Sequence, residues 1–236
     1  MLTRALEPET LDHLAPDDPA AERARRDLRR VNAFMGARRI LARALARALP
    51  EGRPELRVLE IGCGDGRLLL DVAEREHRRW PAVRLDLLDR QPIVAPATLA
   101  AYAATGWQAR PLVADVLDWA AADGEGWDAV VANLFLHHFE GDALARLLAA
   151  CARRADALVA CEPRRSRFAL AASHLIVFLG ASEVTRNDGV LSVRAGFIGD
   201  ELARAWPGAR DAWRIEEYED GAFTHCFCAV RRSAAA

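Results

Sequence analysis

Residues Arg57 to Leu70 read Arg-Val-Leu-Glu-Ile-Gly-Cys-Gly-Asp-Gly-Arg-Leu-Leu-Leu, and this run admits few architectures. Val58, Leu59 and Ile61 are apolar and strand-forming, as a strand covered on both faces requires. Gly62, Gly64 and Gly66 then fall at every second position. A backbone without Cβ atoms turns sharply and lets a ligand approach closely. The apolar run that follows predicts a helix from Gly66 to about Arg79, with Asp65 as its cap. Such a turn is expected to present N–H groups and a positive dipole end to a ligand. A buried strand, a glycine turn and a helix in succession predict an α/β fold, whose ligands bind at the carboxyl ends of the strands.

The chain after Pro54 keeps this rhythm. Strands are expected over 57–61, 83–88, 108–114, 128–133 and 157–161. The helices between them are expected at about 96–105, 117–122 and 142–153, the last capped by Asp142. Alternation of this kind implies a parallel sheet with right-handed crossovers. Residues 163–197 are too long for an ordinary connection and read as a lid insertion, helical over 166–179 and mixed beyond. A helix at about 199–206 follows. Two β-rich runs, 213–218 and 222–230, then flank Glu219-Asp220-Gly221, a hairpin turn signal.

Ahead of the sheet, residues 1–18 are polar and punctuated by Pro8 and Pro16, and a loosely held arm is expected there. Helices follow over 20–31, with Asp17 or Asp18 as cap, and from about 34 to 49, stopping before Pro50, Gly52 and Pro54. Residues 1–50 thus form an N-terminal helical cap and 51–236 the main domain. The helix pair is rich in arginine, from Arg23 to Arg47, against Glu22 and Asp27. That pattern fits a solvated face, or contact with an acidic or membrane-bound substrate.

Composition removes several functions. The net charge of −2 gives no global footprint for nucleic acid. All 32 basic residues are arginine, so Schiff-base lysine chemistry and the Walker A lysine are excluded. The five cysteines form no C-x-x-C pair, no signal-peptide pattern opens the chain and no apolar run is long enough to span a bilayer. A reduced, cytoplasmic protein without a transmembrane segment is expected. His225-Cys226-Phe227-Cys228 lacks a second ligand cluster and places its cysteines on one strand face and the histidine on the other, so no metal site is expected.

The glycine spacing discriminates between ligands. The dinucleotide fingerprint is G-x-G-x-x-G, whereas Glu60, Gly62, Gly64 and Gly66 form E-x-G-x-G-x-G. This resembles motif I of the class I S-adenosylmethionine (SAM) dependent methyltransferases, over about 57–230 and most strongly over 57–139. Five alternating units closed by a hairpin match the Rossmann-like, seven-stranded sheet of that family, with helices on both faces. The resemblance implies SAM as cofactor, with S-adenosylhomocysteine (SAH) as product. It is particularly close to enzymes of the ubiquinone, menaquinone and natural-product kind. Alternative readings are a non-catalytic SAM-binding accessory protein or, disfavoured by the spacing, an NAD(P)-dependent oxidoreductase.

Mapped residue by residue, the resemblance makes Glu60, Gly62, Cys63, Gly64 and Gly66 one wall of the cofactor site. Asp89, followed by Arg90, takes the position whose carboxylate grips the ribose hydroxyls. Asp115 takes that of the acid facing the adenine amino group, and Val116 packs on the ring. Asp89 and Asp115 also read as turn or cap residues. Asn133 ends the fourth strand where donor and acceptor meet. The Asn/Asp-Pro-Pro-Tyr/Phe segment of nucleobase-amine methyltransferases is replaced by Leu134-Phe135-Leu136, so the expected acceptor is a small hydrophobic molecule. The methylated atom is a phenolic or polyketide-like hydroxyl, or an activated ring carbon. His137 and His138 are the candidate bases, or else a structural pair. Phe135, Phe139, Glu162 and the lid residue His174 are candidates for the acceptor pocket. Arg164 and Arg165 stand at the rim, to meet an anionic group or solvent. Asn32 to Arg38 are expected to close over the cofactor.

Overall fold

The computed structural model describes residues 2–50, 53–80, 82–209 and 211–232; Gly52 and the terminal alanine run lie outside them. Seven strands form one sheet in the order β3-β2-β1-β4-β5-β7-β6. These are β1 (Leu56–Ile61), β2 (Val83–Asp89), β3 (Trp107–Val113), β4 (Ala129–Asn133), β5 (Ala157–Pro163), β6 (Trp213–Asp220) and β7 (Thr224–Arg231). The first five are parallel, and β7 runs antiparallel to both β5 and β6. The order reverses between β1 and β4, where an open α/β sheet leaves a crevice for a ligand.

Each face of the sheet carries its own core. Val58, Leu85, Val131 and Val159 pack beneath α2 (Ala37–Ala48), α3 (Arg67–Glu76) and α4 (Pro96–Ala104), through Leu41, Leu45, Leu69, Val72 and Tyr102. Leu59, Ile61, Val130 and Leu158 pack on the other side beneath α5 (Val116–Ala121), α6 (Gly141–Arg154) and α9 (Glu201–Ala205), through Trp119, Leu147, Leu148 and Leu202. Adjacent strand residues thus serve opposite cores, which is why β1 reads as a continuous apolar run.

The remaining helices form a roof over the carboxyl ends of the strands. Helix α1 (Pro19–Met35) runs past the expected stop at Val31 because nothing before Gly36 breaks it. Gly36 takes φ 72° and caps the end with its N–H on Ala33 and Asn32 carbonyls. Asp18, not Asp17, caps the start, accepting from Ala20 N at 2.7 Å. The lid departs further from expectation. Helix α7 (Arg167–Ser173) is short, a 3-10 turn covers Ile176–Leu179, and Gly180 at φ 75° reverses the chain. The segment expected to be mixed is instead α8 (Glu183–Ala195); its weak amphipathicity hid it. Helix α6 begins one residue earlier than expected, with Glu140 at the cap position and Asp142 inside the first turn. The β6–β7 hairpin closes on the pair Asp220–Thr224, giving a loop longer than the Asp-Gly signal implies.

The largest correction concerns residues 2–14, which are fastened along their length. Arg4 donates to the carbonyls of Ala195, His137 and Phe139 at 2.7, 3.3 and 2.9 Å. Asp188 of α8 accepts from Thr10 N and Leu11 N at 2.8 and 2.9 Å. Arg90 donates to the carbonyl of Asp12, and Gln91 to that of Leu14. The buried carboxylate of Asp27 ties α1 to α8, accepting from Ser182 N at 2.7 Å and Thr185 Oγ1 at 3.2 Å. Arm, α1 and α8 therefore make one hydrogen-bonded roof. Among the described residues no helix is long and apolar enough to cross a membrane.

Candidate active site

A cavity of about 1130 Å³ lies between this roof and the switch point of the sheet. The glycine turn forms one wall. Its amides are largely used within the protein: Cys63 N donates to Leu88 O, Gly64 N to Asp89 Oδ2 and Gly66 N to Cys63 O. The expected donor array is thus absorbed by the turn itself, and what the turn offers is room. Gly64, at φ 56°, has open space where a Cβ would project. Gly66 does not line the cavity; it packs on Leu87, and its carbonyl accepts from the buried Tyr102 hydroxyl at 2.7 Å. Gly66, not Asp65, takes the cap position of α3, which begins at Arg67 and ends at Glu76. Asp65 stands just before it, accepting from Arg67 N at 3.2 Å, and Arg29 of α1 reaches it at 2.8 Å, so roof and turn are joined.

Asp89 is held by two backbone donors, Gly64 N on Oδ2 at 2.8 Å and Gln91 N on Oδ1 at 2.9 Å. A carboxylate has about four acceptor positions, so each oxygen retains capacity for a ligand hydroxyl. Asp115 commits Oδ1 to the cap of α5 through Leu117 N at 2.7 Å. Val116, Asn133 and Arg90 also line the cavity. Glu60 stands beneath them, buried, with Oε2 unpartnered. Burial, then the nearby charges of Asp65 and Asp89, pushes its carboxyl up to about 8. Burial likewise pushes the Cys63 thiol up, so it is not a thiolate nucleophile. A glycine cradle, a half-used carboxylate and a buried orphan acceptor fit a ligand carrying hydroxyl and cationic donors.

The opposite wall is the turn after β4. Leu134 adopts φ 51°, the left-handed region that branched residues avoid. Glu162 at the end of β5 holds this conformation. Its Oε1 accepts from Phe135 N and Leu136 N at 3.1 and 2.8 Å, and its Oε2 from His137 N at 3.3 Å. His137 Nδ1 lies 2.8 Å from the same oxygen. Glu162 is fully buried and faces the turn, not the cavity, which corrects its expected place in the acceptor pocket. His174 is corrected too: it sits on the exposed outer side of the lid, because α7 ends at Ser173. Arg165 is buried, paired with Glu201 and bonded to the Leu2 and Gly196 carbonyls, so it meets no substrate. Arg164 pairs with Glu219.

The two histidines stack at 4.2 Å between ring centroids yet occupy different environments. His137 is 2% exposed. Burial alone would lower it, but hydrogen bonds to Glu162 and to Glu9 of the arm outweigh that and hold it at about 9. His137 is therefore a clamped cation. His138 lines the cavity and is lowered, by burial and then by the charge of His137; its Nδ1 faces Asp12 Oδ2 at 3.5 Å. Phe135 and Phe139, 5.2 Å apart edge to face, supply the apolar floor. The sequence offered no signal for Glu9 or Asp12, which lie in a segment without periodicity. His225 turns to Glu217 at 2.7 Å, while Cys226 approaches Cys161 at 3.9 Å.

Residues 58–156 match the family model described as a methyltransferase domain. That stretch, less than half of the chain, is similar to a methyltransferase domain. No curated protein matches the chain significantly in sequence. Among solved structures, the chain resembles the plantazolicin methyltransferase BpumL in complex with SAH, with 13% identity, 92% of each chain covered and a TM-score of 0.62. It also resembles magnesium protoporphyrin IX methyltransferase (ChlM) from Synechocystis PCC 6803 with bound SAH, at 18% identity over 88% of this chain and 86% of that one, with a TM-score of 0.54. The mitomycin 7-O-methyltransferase MmcR shares 20% identity over 94% of this chain and 60% of its own, with a TM-score of 0.60. At these identities the likeness is one of fold.

Proposed function

We propose that the protein is a methyltransferase that moves the methyl group of SAM to an oxygen of a small, largely apolar acceptor of phenolic or polyketide-like character. The observation that carries this is the placement of His138, a neutral imidazole, on the same cavity as the glycine turn and beside Phe135 and Phe139. SAM supplies a sulfonium-bound methyl group, which a nucleophile displaces in line. Asp89 would hold the ribose hydroxyls, Asp115 and Val116 the adenine, and Glu60 and Gly64 the methionyl part.

The rest of the work falls to the acceptor side. A phenol has a pKa of about 10, so a nearby base at neutral pH increases the nucleophilic fraction. His138 takes the hydroxyl proton on a ring nitrogen as the oxygen forms its bond to the methyl carbon. His137 holds its neighbour neutral by its positive charge and, through Glu162, fixes the turn that positions His138. The roof of arm, α1 and α8 keeps water from the reacting atoms. The mitomycin and magnesium protoporphyrin enzymes carry small-molecule acceptors in their names, which supports an acceptor of this class.

The test measures SAH binding by calorimetry and transfer of labelled methyl groups to a panel of phenols. His138→Ala is expected to bind SAH within about twofold of wild type and to lose roughly 100-fold or more in kcat. Near-wild-type turnover in His138→Ala would remove the base from this reading. Absence of SAH binding by the wild-type chain would remove the reading itself.

A further inference from the structure

The turn after β4 holds more ligand chemistry than one proton transfer uses. We infer that Glu9, His137 and His138 form a binding site for a single divalent transition-metal ion of the zinc type. The inference rests on reading this turn as the acceptor side of the cavity, and its test separates the two.

Each of the three side chains offers one ligand atom, and these atoms lie within 4.8 Å of one another. Glu9 Oε1 and His137 Nε2 are 3.3 Å apart. That is long for a charge-assisted hydrogen bond, which runs about 2.7–2.9 Å. It is the edge, roughly 3.3–3.4 Å, of a tetrahedron whose centre lies about 2.0–2.1 Å from each corner, the geometry zinc adopts with imidazole and carboxylate. His138, a ring that is 23% exposed, supplies the third corner, its ligand atom within 4.8 Å of the other two.

The surroundings repeat the arrangement found behind metal-bound histidines, in which the second ring nitrogen is held by a carboxylate. Glu162 Oε2 sits 2.8 Å from His137 Nδ1, which leaves Nε2 for an ion. Asp12 Oδ2 faces His138 Nδ1 at 3.5 Å. Ser192 Oγ donates to Glu9 Oε1 and steadies the third ligand. Glu9, Asp12 and Glu162 thus place three carboxylates around two imidazoles. The Arg4 guanidinium is directed at the His137 and Phe139 carbonyls, and that of Arg90 pairs with Asp12 at 3.7 Å. Imidazole donors select transition ions over magnesium or calcium. Two histidines and one carboxylate leave the fourth position open, as catalytic zinc sites do.

That open position faces the cavity floored by Phe135 and Phe139. Ion binding displaces the His137 Nε2 proton to solvent. An acceptor hydroxyl oxygen bound at the open position is polarised by the ion and made more acidic, and its proton also leaves to solvent. A ligated His138 no longer takes a proton, so the empty and the loaded turn activate the same hydroxyl by different means.

Chelator-stripped full-length protein is titrated with Zn²⁺ by calorimetry, and SAH is titrated into the same samples. The expected result is one ion per chain with micromolar or tighter affinity, weakened about tenfold or more in Glu9→Gln and in His138→Ala, with SAH affinity unchanged. Zn²⁺ should raise the Tm of the wild type and not that of Glu9→Gln. Co²⁺ in its place should give visible d–d absorption that His138→Ala abolishes. Binding no tighter than millimolar, or equal in wild type and both variants, overturns the site. SAH binding without Zn²⁺ binding refutes the metal site alone, and loss of SAH binding in the wild type refutes the methyltransferase reading alone.

Discussion

Phe135 occupies the space that a side chain on Gly62 would need: a Cβ there would lie 2.0 Å from Phe135 Cδ2. The two cavity walls, the turn after β1 and the turn after β4, are thus in contact through a missing atom. Gly62→Ala carries a cost of about 1–2 kcal/mol from its φ of 66°, and in addition drives Phe135 off the acceptor floor. It is expected to lower the Tm and weaken SAH binding at least tenfold. Gly64→Ala, with the same backbone sign but open space, is expected to show the backbone cost alone. Equal Tm losses in the two variants would show that Phe135 exerts no pressure on Gly62.

Glu162 satisfies three backbone N–H groups and one imidazole from a fully buried position. Glu162→Ala strands those donors and leaves the clamped His137 with half its counter-charge. A loss of about 3 kcal/mol or more in urea unfolding is expected, together with loss of methyl transfer. A loss below about 1 kcal/mol would mean that the Leu134 conformation is held by other contacts.

Glu60 sets a pH dependence of stability. Its carboxyl rises from 4.5 in the unfolded chain to about 8 in the folded one, chiefly through burial. Between those values the unfolded chain ionises while the folded one stays protonated, so stability falls as pH rises. The slope is about 1.4 kcal/mol per pH unit within the window and vanishes above it. Glu60→Gln is expected to be the flatter of the two in urea melts at pH 5, 6.5 and 8. Parallel curves for wild type and variant would contradict the raised carboxyl.

Asp188 is the hinge pin of the arm, because both of its oxygens take backbone donors from Thr10 and Leu11. Asp188→Ala is expected to free the arm without unfolding the sheet. Trypsin should then cut after Arg4 several-fold faster than in wild type, and the KM for the acceptor should rise while SAH affinity holds. An unchanged cutting rate would place the hold of the arm on Arg4 itself, through its bonds to Ala195 and Phe139.

The sheet was legible because its central strands β1, β2, β4 and β5 are apolar runs bounded by glycine or a polar residue and separated by helical spacing, and an Asp-Gly signal marks the closing hairpin. The seven strands agree with the expected five alternating units and closing hairpin, while the order that reverses between β1 and β4 is seen only in the structure. The cavity wall proposed for the cofactor was placeable from the sequence, since Asp89 and Asp115 end strands whose positions are predictable and both line the cavity. The acceptor wall was legible only as far as the His137-His138 turn. Glu9 and Asp12 reach it from more than a hundred residues away, along a segment held by bonds from Asp188 and Arg90 that no periodicity announces. Glu162 was visible as a polar residue at a strand end. Its burial, and hence its task of fixing a turn, depends on the antiparallel neighbour β7 covering it. Arg165 was misplaced for a related reason, its partner Glu201 lying on a helix that follows the whole lid.

The arm and α8 also bear on how such an enzyme diversifies. The wall proposed for the methyl donor, from Glu60 to Val116, is encoded within residues 58–156, the stretch that matches the domain model. Glu9, Asp12, Asp188 and Ser192, which bear on the acceptor wall, all come from flanks on either side of it. Exchanging those two flanks between relatives would transplant acceptor preference as a module, leaving the methyl-donor half untouched, provided that Thr10, Leu11 and their anchor on α8 travel together.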